Sequence, residues 1–335
     1  RAQTENHDRA PSGARLLVGH HCAMAFDFAA VTAPFRMQPG LRALAPGASQ
    51  LTPSRPGERA FGEKLAVLSQ HADQALLTSP GFDATAALQA LCAQAQAEHP
   101  QALQRENGLV HAPLLGWGLQ GDAVVGDGPA AVGQCLAALP AAWRLAALLS
   151  LAFVEDFAVI DGHTASIPWL AVCLPSHWSP QEKIGQHFAQ VHAPVADNRL
   201  LIAASEHLAR LVTGTQRWER FVWTITPEAR LDMHPRRTPK RPWPVEADAD
   251  ALARLAFLRT ERQTFIPLPE ARQAIFTIHV ESRPLGQAVA AAEDAATLHA
   301  ALATMSEAVL AYRSLAPARD RLLAWLAERA GHTAR

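Results

Sequence analysis

Several features that would place this sequence in a common protein class are scarce or absent. No apolar run is long enough to cross a membrane, and the longest candidate, residues 145–160, is interrupted by Glu155 and Asp156. Lysine plus arginine total 30 and aspartate plus glutamate total 31, so the chain lacks the basic excess of proteins that bind nucleic acids. We therefore expect neither a membrane span nor a nucleic-acid partner.

Cysteine is also scarce. The four cysteines are scattered without a Cys-x-x-Cys pair, which disfavours a disulfide scaffold or an iron–sulfur centre and favours a reducing cytoplasm. Residues 1–30 are interpreted as a flexible polar leader without the apolar segment of a signal peptide. Its trio His20-His21-Cys22 resembles a metal site, but adjacent residues rarely chelate one ion together, so a chance cluster is the favoured interpretation.

The composition provides ample material for a hydrophobic core. Apolar residues make up 49% and charged residues 18% of the 335 positions, as in globular proteins. After the leader we expect a loop and helical region over residues 31–150, a core over 151–285 and C-terminal helices over 286–335. In the first region, helical spacing covers residues 60–77, 83–98 and 130–149, whereas the five glycines of residues 116–128 predict turns.

The middle of the sequence changes from helical periodicity to strand-like patterns. Two apolar runs flank the turn Asp161-Gly162 and predict an antiparallel hairpin, which helices follow, including one over residues 198–213. The predicted strands are residues 151–160, 167–174, 217–226, 255–266 and 273–281. A five-stranded antiparallel sheet with helices inserted after its second strand is the Per-ARNT-Sim (PAS) layout. We expect an α+β fold: a PAS-like five-stranded antiparallel sheet with inserted helices, plus N- and C-terminal helical extensions.

The densest polar group in this region lies on the fourth predicted strand. Because side chains alternate along a strand, Arg259, Glu261 and Gln263 share one face and Arg262 lies on the other. The pattern is compatible with an edge strand that carries a salt-bridged face and equally with a ligand pocket.

His192 is the second candidate feature. Pro194 disfavours helix at Ala193, which places His192 near the end of a predicted helix. A histidine on an apolar segment is more often a core residue than a ligand. A helix-borne histidine that faces a sheet is nevertheless how haem-binding sensor domains of this layout hold the iron. His187, five residues earlier, is the alternative.

Several separated stretches resemble a known family in the same order along the chain. They are residues 35–42, Val154-Glu155-Asp156, residues 173–178, Lys183-Ile184-Gly185, residues 191–195, residues 259–264, Leu268-Pro269 and residues 276–278. Together they span about residues 35–285 and are similar to the haem-dependent oxidative N-demethylase family. The sequence departs from the family pattern at Val222, at Ala196 and over residues 279–281.

The resemblance implies a PAS-like core that binds haem b, with His192 as the proximal iron ligand. It implies O₂-dependent, monooxygenase-type oxidation of a small methylated amine. Because no flavin, dinucleotide or iron–sulfur signature is present, the electrons would come from a separate reductase that carries flavin and an iron–sulfur centre.

Five side chains become site candidates in this interpretation. Arg259 and Glu261 are candidates for catalysis, with Glu261 holding the ammonium group. Arg262 and Lys183 join His192 as candidates for haem binding. If Glu261 does not bind the ammonium group, we expect Glu155 or Asp156 to supply the carboxylate that does.

A second class of function remains open at this point. The chain could be a haem-binding gas or redox sensor, or a haem module without turnover; a colourless purified protein would indicate a binding protein without haem. An absorption spectrum, before and after reduction and exposure to CO, separates these hypotheses.

Overall fold

The fold combines α-helices with two antiparallel sheets, which confirms the α+β class. The computed structural model describes residues 26–193 and 195–331; the side chains of His192 and Leu201 lie outside this description. None of the helices in these ranges is long and apolar enough to cross a membrane. The leader trio His20-His21-Cys22 lies outside the described residues.

The elements follow one another along the chain with mostly short connections. The strands are β1 (Arg42–Ala43), β2 (Leu76–Thr78), β3 (Gln104–Glu106), β4 (Leu109–Ala112), β5 (Trp117–Gln120), β6 (Ala123–Gly126), β7 (Asp156–Asp161), β8 (Ser166–Ala171), β9 (Trp218–Thr226), β10 (Phe257–Leu268) and β11 (Gln273–Pro284). The helices are α1 (Arg59–Gln70), α2 (Ala72–Ala75), α3 (Thr85–Glu98), α4 (Ala130–Ala138), α5 (Ala141–Ala152), α6 (Phe188–His192), α7 (Arg199–Ala203), α8 (Ser205–Val212), α9 (Ala249–Arg254), α10 (Leu285–Ala288), α11 (Ala292–Ala303), α12 (Glu307–Tyr312) and α13 (Arg319–Arg329).

The large sheet contains the five predicted strands and two more. Its order is β1-β9-β10-β11-β7-β8-β2, and each pairing is antiparallel. The two additions are the short edge strands β1 and β2, so the sheet has seven strands rather than five in the described residues. Strand β2 comes from the end of the segment expected to be helical over residues 60–77, because α1 ends at Gln70.

The prediction of turns over residues 116–128 is correct only in part: Gly116 and Gly121 lie in turns, but strands β5 and β6 occupy most of the segment. Strands β3 to β6 form a second, four-stranded sheet, of which β5 and β6 lie within this segment. Its glycines serve close backbone approach within the sheet: a Cβ on Gly118 would lie 2.7 Å from the Val110 carbonyl oxygen. Glycine therefore marks crowded strands here as well as turns.

The helices divide into groups that cover different parts of the large sheet. We call the sheet face that carries Glu261 and Gln263 the front face, and the face that carries Arg262 and Thr264 the back face. Helices α1, α3 and α5 belong to the main core, which includes the back-face residues Ile266 and Ile275. Helices α9 to α13 form a second core. Helices α6 and α8 pack on the front face.

Candidate functional site

Across the five central strands of the large sheet, the front face is mainly polar on β9 and β10 and mainly apolar on β11, β7 and β8. In the register of β9, β10 and β11, Glu261 lies opposite Val222 and Val280, and Gln263 lies opposite Arg220 and Ile278. The apolar part consists of Ala158, Ile160, Leu170, Val172 and Phe276. Helix residues Phe188, Val191 and Val212 pack against this part. Arg220, Glu261 and Gln263 form a polar strip beside this apolar part. Apolar side chains next to a few polar groups are typical of ligand sites.

Arg259 is buried on β10 and bonded to two loops. Its Nε donates to Ser176 Oγ at 2.8 Å, and its Nη atoms donate to the carbonyls of Arg230 at 3.0 Å and Leu231 at 2.8 Å. Burial lowers the pKa of Arg259 to about 10, against the opposing effect of Glu261, so the guanidinium stays charged at neutral pH. These contacts attach the loop that contains Ser176 and the loop that contains Arg230 and Leu231 to strand β10.

Glu261 is half-buried two residues further along β10 and accepts from neutral donors. Ser176 Oγ donates to its Oε1, and Gln263 Nε2 donates to its Oε2 at 2.7 Å. In the described residues, no lysine, arginine or histidine nitrogen lies within 4.0 Å of this carboxylate. The structure thus brings Arg259 and Glu261 together, with the serine hydroxyl between them.

The buried carboxylates differ from Glu261 in this respect. Each has an ionisable partner: Glu155 with His279 at 3.0 Å, Asp156 with Lys64 at 3.1 Å, Glu219 with Arg262 at 3.0 Å and Asp232 with Arg237 at 2.7 Å. A buried charge that is paired in this way is neutralised within the fold. The negative charge of Glu261 is therefore the one left for a ligand among these five groups.

Arg262 lies on the back face, away from Arg259 and Glu261. Its Nε donates to Glu219 at 3.0 Å and its Nη1 donates to the Ser49 carbonyl at 2.8 Å. Glu219 also pairs with Arg42 at 3.0 Å, so Arg262 belongs to a network that ties β1 and β9 to β10. The structure does not bring Arg262 together with the front-face candidates.

Two side-chain nitrogen donors on the front face have no hydrogen-bond acceptor in the described residues. They are Trp218 Nε1 and Arg220 Nε, two residues apart on β9 and both buried. Burial lowers the pKa of Arg220, and the negative charge of Glu261 acts in the opposite direction. Buried donors without acceptors are rare in folded proteins and indicate a missing partner. Trp218 could not be identified as a site residue from the sequence, because its only signal was a place on a predicted strand.

Helix α6 carries the two histidine candidates. His187 is its N-cap, and its Nδ1 accepts from the Ala189 amide at 3.1 Å. His192 is the last residue of α6, and its side chain lies outside the described part of the structure. Lys183 Nζ donates to the Val191 carbonyl at 2.8 Å, and burial lowers the pKa of this lysine. His187 and Lys183 thus hold the two ends of the helix on which His192 lies.

Glu155 and Asp156 at the start of β7 are used by the fold. The Asp156 carboxylate is an ion pair with the fully buried Lys64 and accepts from the Leu174 amide at 2.7 Å. Glu155 accepts from the Thr52 amide at 2.9 Å, besides its contact with His279. These contacts disfavour both residues as the alternative pocket carboxylate.

The Glu155–His279 pair predicts a pH dependence of stability. Burial lowers the pKa of His279, but the hydrogen bond and charge of Glu155 outweigh it and raise the pKa above 6.5. Burial raises the pKa of Glu155, but His279 and Thr52 outweigh it and lower the pKa below 4.5. The stabilisation from His279 is complete below about pH 6.5 and is lost as pH rises through its folded pKa; that from Glu155 is lost as pH falls through its folded pKa.

His279→Gln is therefore expected to lower the free energy of unfolding more at about pH 5.5 than at about pH 9, because only the charged imidazolium pairs with the carboxylate. Urea unfolding of both proteins at the two pH values measures the difference. The exposed His163→Gln is the control, with no pH-dependent difference expected. An equal loss for His279→Gln at both pH values would show that the pair is not ionised in the folded state.

One comparison with known proteins identifies a family. The model of the family described as "Haem-dependent oxidative N-demethylase, alpha subunit-like" matches residues 59–323. The match includes both sheets apart from β1, together with Ser176, helix α6 and the polar strip of the front face.

Proposed function

The chain belongs to the haem-dependent oxidative N-demethylase, alpha subunit-like family, and on this basis we propose that it binds haem b and oxidises a small methylated amine with O₂. The overall reaction would convert the N-methyl amine, O₂, two electrons and two protons into the demethylated amine, formaldehyde and water. This is monooxygenase chemistry, in which one oxygen atom leaves in formaldehyde and the other in water. The electrons would come from a reductase protein that carries flavin and an iron–sulfur centre.

The strand order supports a PAS-like arrangement of the haem-binding core. Without its two edge additions, the large sheet has the order β8-β7-β11-β10-β9. Helices α6 to α8 are inserted between β8 and β9, after the second of these five strands, and two of them pack on the front face. We place the haem at the front face beside α6, the helix that carries His192.

The residues of the front face fit a haem. A porphyrin is flat and apolar with two carboxylates at one edge, so it needs apolar walls and donors near its propionates. The apolar residues of the front face and of the helices that pack on it would contact the macrocycle, and the donors of Trp218 and Arg220 lack acceptors that propionates would provide. His192 would hold the iron, and Arg220 rather than Arg262 would pair with a propionate, with Lys183 holding the end of α6.

When bound, haem supplies the redox-active iron at which O₂ is activated. The chain's own task is then to bind the amine close to it in a fixed orientation. A methylated amine is an ammonium ion at neutral pH, and its N–H groups bind well to a carboxylate that has no other cation. We propose Glu261 for this role, since it is half-buried, lies on the front face and has no ion pair in the described residues. The lack of an ion pair is the observation on which this assignment depends.

Glu261→Gln tests the assignment. The amide keeps the shape and loses the charge, and a hydrogen bond to a charged group contributes about 1.5–3 kcal/mol, so amine affinity is expected to fall about 10- to 100-fold. Titration with dimethylamine, followed by the shift in the haem absorption spectrum, measures the affinity. Haem content and CO binding after reduction are expected to stay unchanged.

Glu281→Gln is the matched control for this test. Glu281 lies opposite Thr260, on the back face of the same sheet, so its loss of charge is not expected to change amine affinity. Unchanged affinity in Glu261→Gln would remove Glu261 from the binding site. A lower thermal midpoint in that variant would then indicate that the carboxylate has a structural role.

A further inference from the structure

The hydroxyl of Ser176 is the only side-chain link between the Arg259 guanidinium and the Glu261 carboxylate in the described residues. Arg259 Nε lies 2.8 Å from Ser176 Oγ, and the same oxygen contacts Glu261 Oε1. An arginine N–H can only donate, so the hydroxyl must accept from Arg259. Its single proton is then directed to the carboxylate, which fixes the direction of both hydrogen bonds.

Ser176 is itself held by an unusual backbone turn. The next residue, His177, has a φ of +59°, a left-handed conformation that only a few per cent of non-glycine residues adopt. Ser176 pairs with Met233 in a parallel bridge, the His177 amide donates to the Met233 carbonyl at 3.1 Å, and the Met233 amide donates to the Pro175 carbonyl at 3.0 Å. These backbone bonds maintain the turn and so fix the position of the hydroxyl.

The segments on both sides of Ser176 are fixed as well. The Leu174 amide donates to Asp156 at 2.7 Å, and Arg259 bonds the carbonyls of Arg230 and Leu231. Ser176 therefore lies between two anchored loops and the β10 strand. A rotation of the side chain that moved the Ser176 oxygen away from Glu261 would also move it away from Arg259 Nε.

We infer that Ser176 is a positioning residue for the amine site: its hydroxyl, oriented by Arg259, holds the Glu261 carboxylate in the direction from which it receives the ammonium group. Each oxygen of Glu261 accepts one neutral hydrogen bond, from Ser176 or Gln263. A carboxylate has about four acceptor positions, so about two stay open for the N–H groups of the ligand. Arg259 contributes through the serine and leaves the negative charge of Glu261 without a direct ion pair. This role rests on the proposed function of Glu261.

Ser176→Ala tests the inference with dimethylamine as the probe in the haem-loaded protein. The variant is expected to bind the amine about tenfold more weakly, because a carboxylate that can rotate spends less time in the receiving orientation. Ser176→Thr keeps the hydroxyl and is expected to restore most of the affinity. Ser179→Ala is the matched control: its hydroxyl donates to Gln181 at 2.6 Å instead, and no change in affinity is expected.

A double-mutant cycle separates a role through Glu261 from an independent one. If Ser176 acts through the carboxylate, Ser176→Ala adds no further loss of affinity in the Glu261→Gln background. Additive losses, or unchanged amine affinity with only a lower thermal midpoint, would overturn the inference. Unchanged affinity in Glu261→Gln alone would instead reject the proposed function of Glu261, and with it the role of Ser176.

Discussion

His192→Ala is expected to remove the side chain that would hold the haem iron and to lower haem occupancy strongly. An alanine provides no ligand atom, and the axial histidine is the one coordinate bond that we assign between the chain and the iron. The variant is to be purified under haem-replete conditions. Its haem content, its absorption spectrum and its CO complex after reduction are compared with those of the unchanged protein.

His187→Ala is the matched control for this experiment. It removes a histidine from the other end of the same helix, where the ring accepts from the Ala189 amide. Loss of such a cap costs about 1 kcal/mol of stability, and haem ligation is expected to persist. If His192→Ala keeps its haem and an unchanged spectrum, the assignment is wrong and His187 becomes the ligand to test. If neither protein nor variant ever binds haem, the proposed function fails.

The purified chain is expected to release no formaldehyde from a methylated amine when it is given only NADPH and O₂. The two electrons of the reaction must enter from NADPH, and the sequence contains no flavin, dinucleotide or iron–sulfur signature through which this chain could accept them. A colorimetric assay for formaldehyde measures the product. Addition of the partner reductase is expected to start turnover.

A parallel sample without reductase tests whether the chain itself is competent. Here a chemical reductant with a redox mediator replaces NADPH, and formaldehyde is expected to appear. Robust turnover with NADPH alone would show that the cofactor content of the chain is misread. Glu261→Gln, supplied with the same reductant, is expected to need a higher amine concentration.

The β10–β11 hairpin shows how far local sequence patterns can determine this fold. Strand-like patterns predicted both strands over residues 255–266 and 273–281, with side chains that alternate between two faces, and the structure pairs them from Phe257↔Pro284 to Leu268↔Gln273. The same alternation separated Glu261 from Arg262 correctly, because the two-residue period of a strand depends only on the backbone. The sequence alone therefore predicts that Glu261 and Arg262, although adjacent in the chain, lie on opposite faces of the sheet.

Edge strands and crowded strands were not predictable in the same way. Strand β2 follows directly from helix α2. It forms because Leu76 and Leu77 pair with Ala171 and Leu170 on strand β8. The four-stranded sheet carries glycines where backbones approach closely, and glycine in a sequence is equally typical of a turn. In both cases the decisive contacts are made with residues distant along the chain.

The sequence by itself determined the α+β class, the order of the core strands and the resemblance to a haem-dependent family, because these depend on short-range periodicity and on motifs within single segments. Only the tertiary structure decided which charges are neutralised. Arg262 pairs with Glu219, Asp156 with Lys64 and Glu155 with His279. Glu261 instead accepts a hydrogen bond from the hydroxyl of Ser176. Whether a buried charge is paired depends on which distant segments the fold brings within a few ångströms of it, and strand patterns carry no information about that.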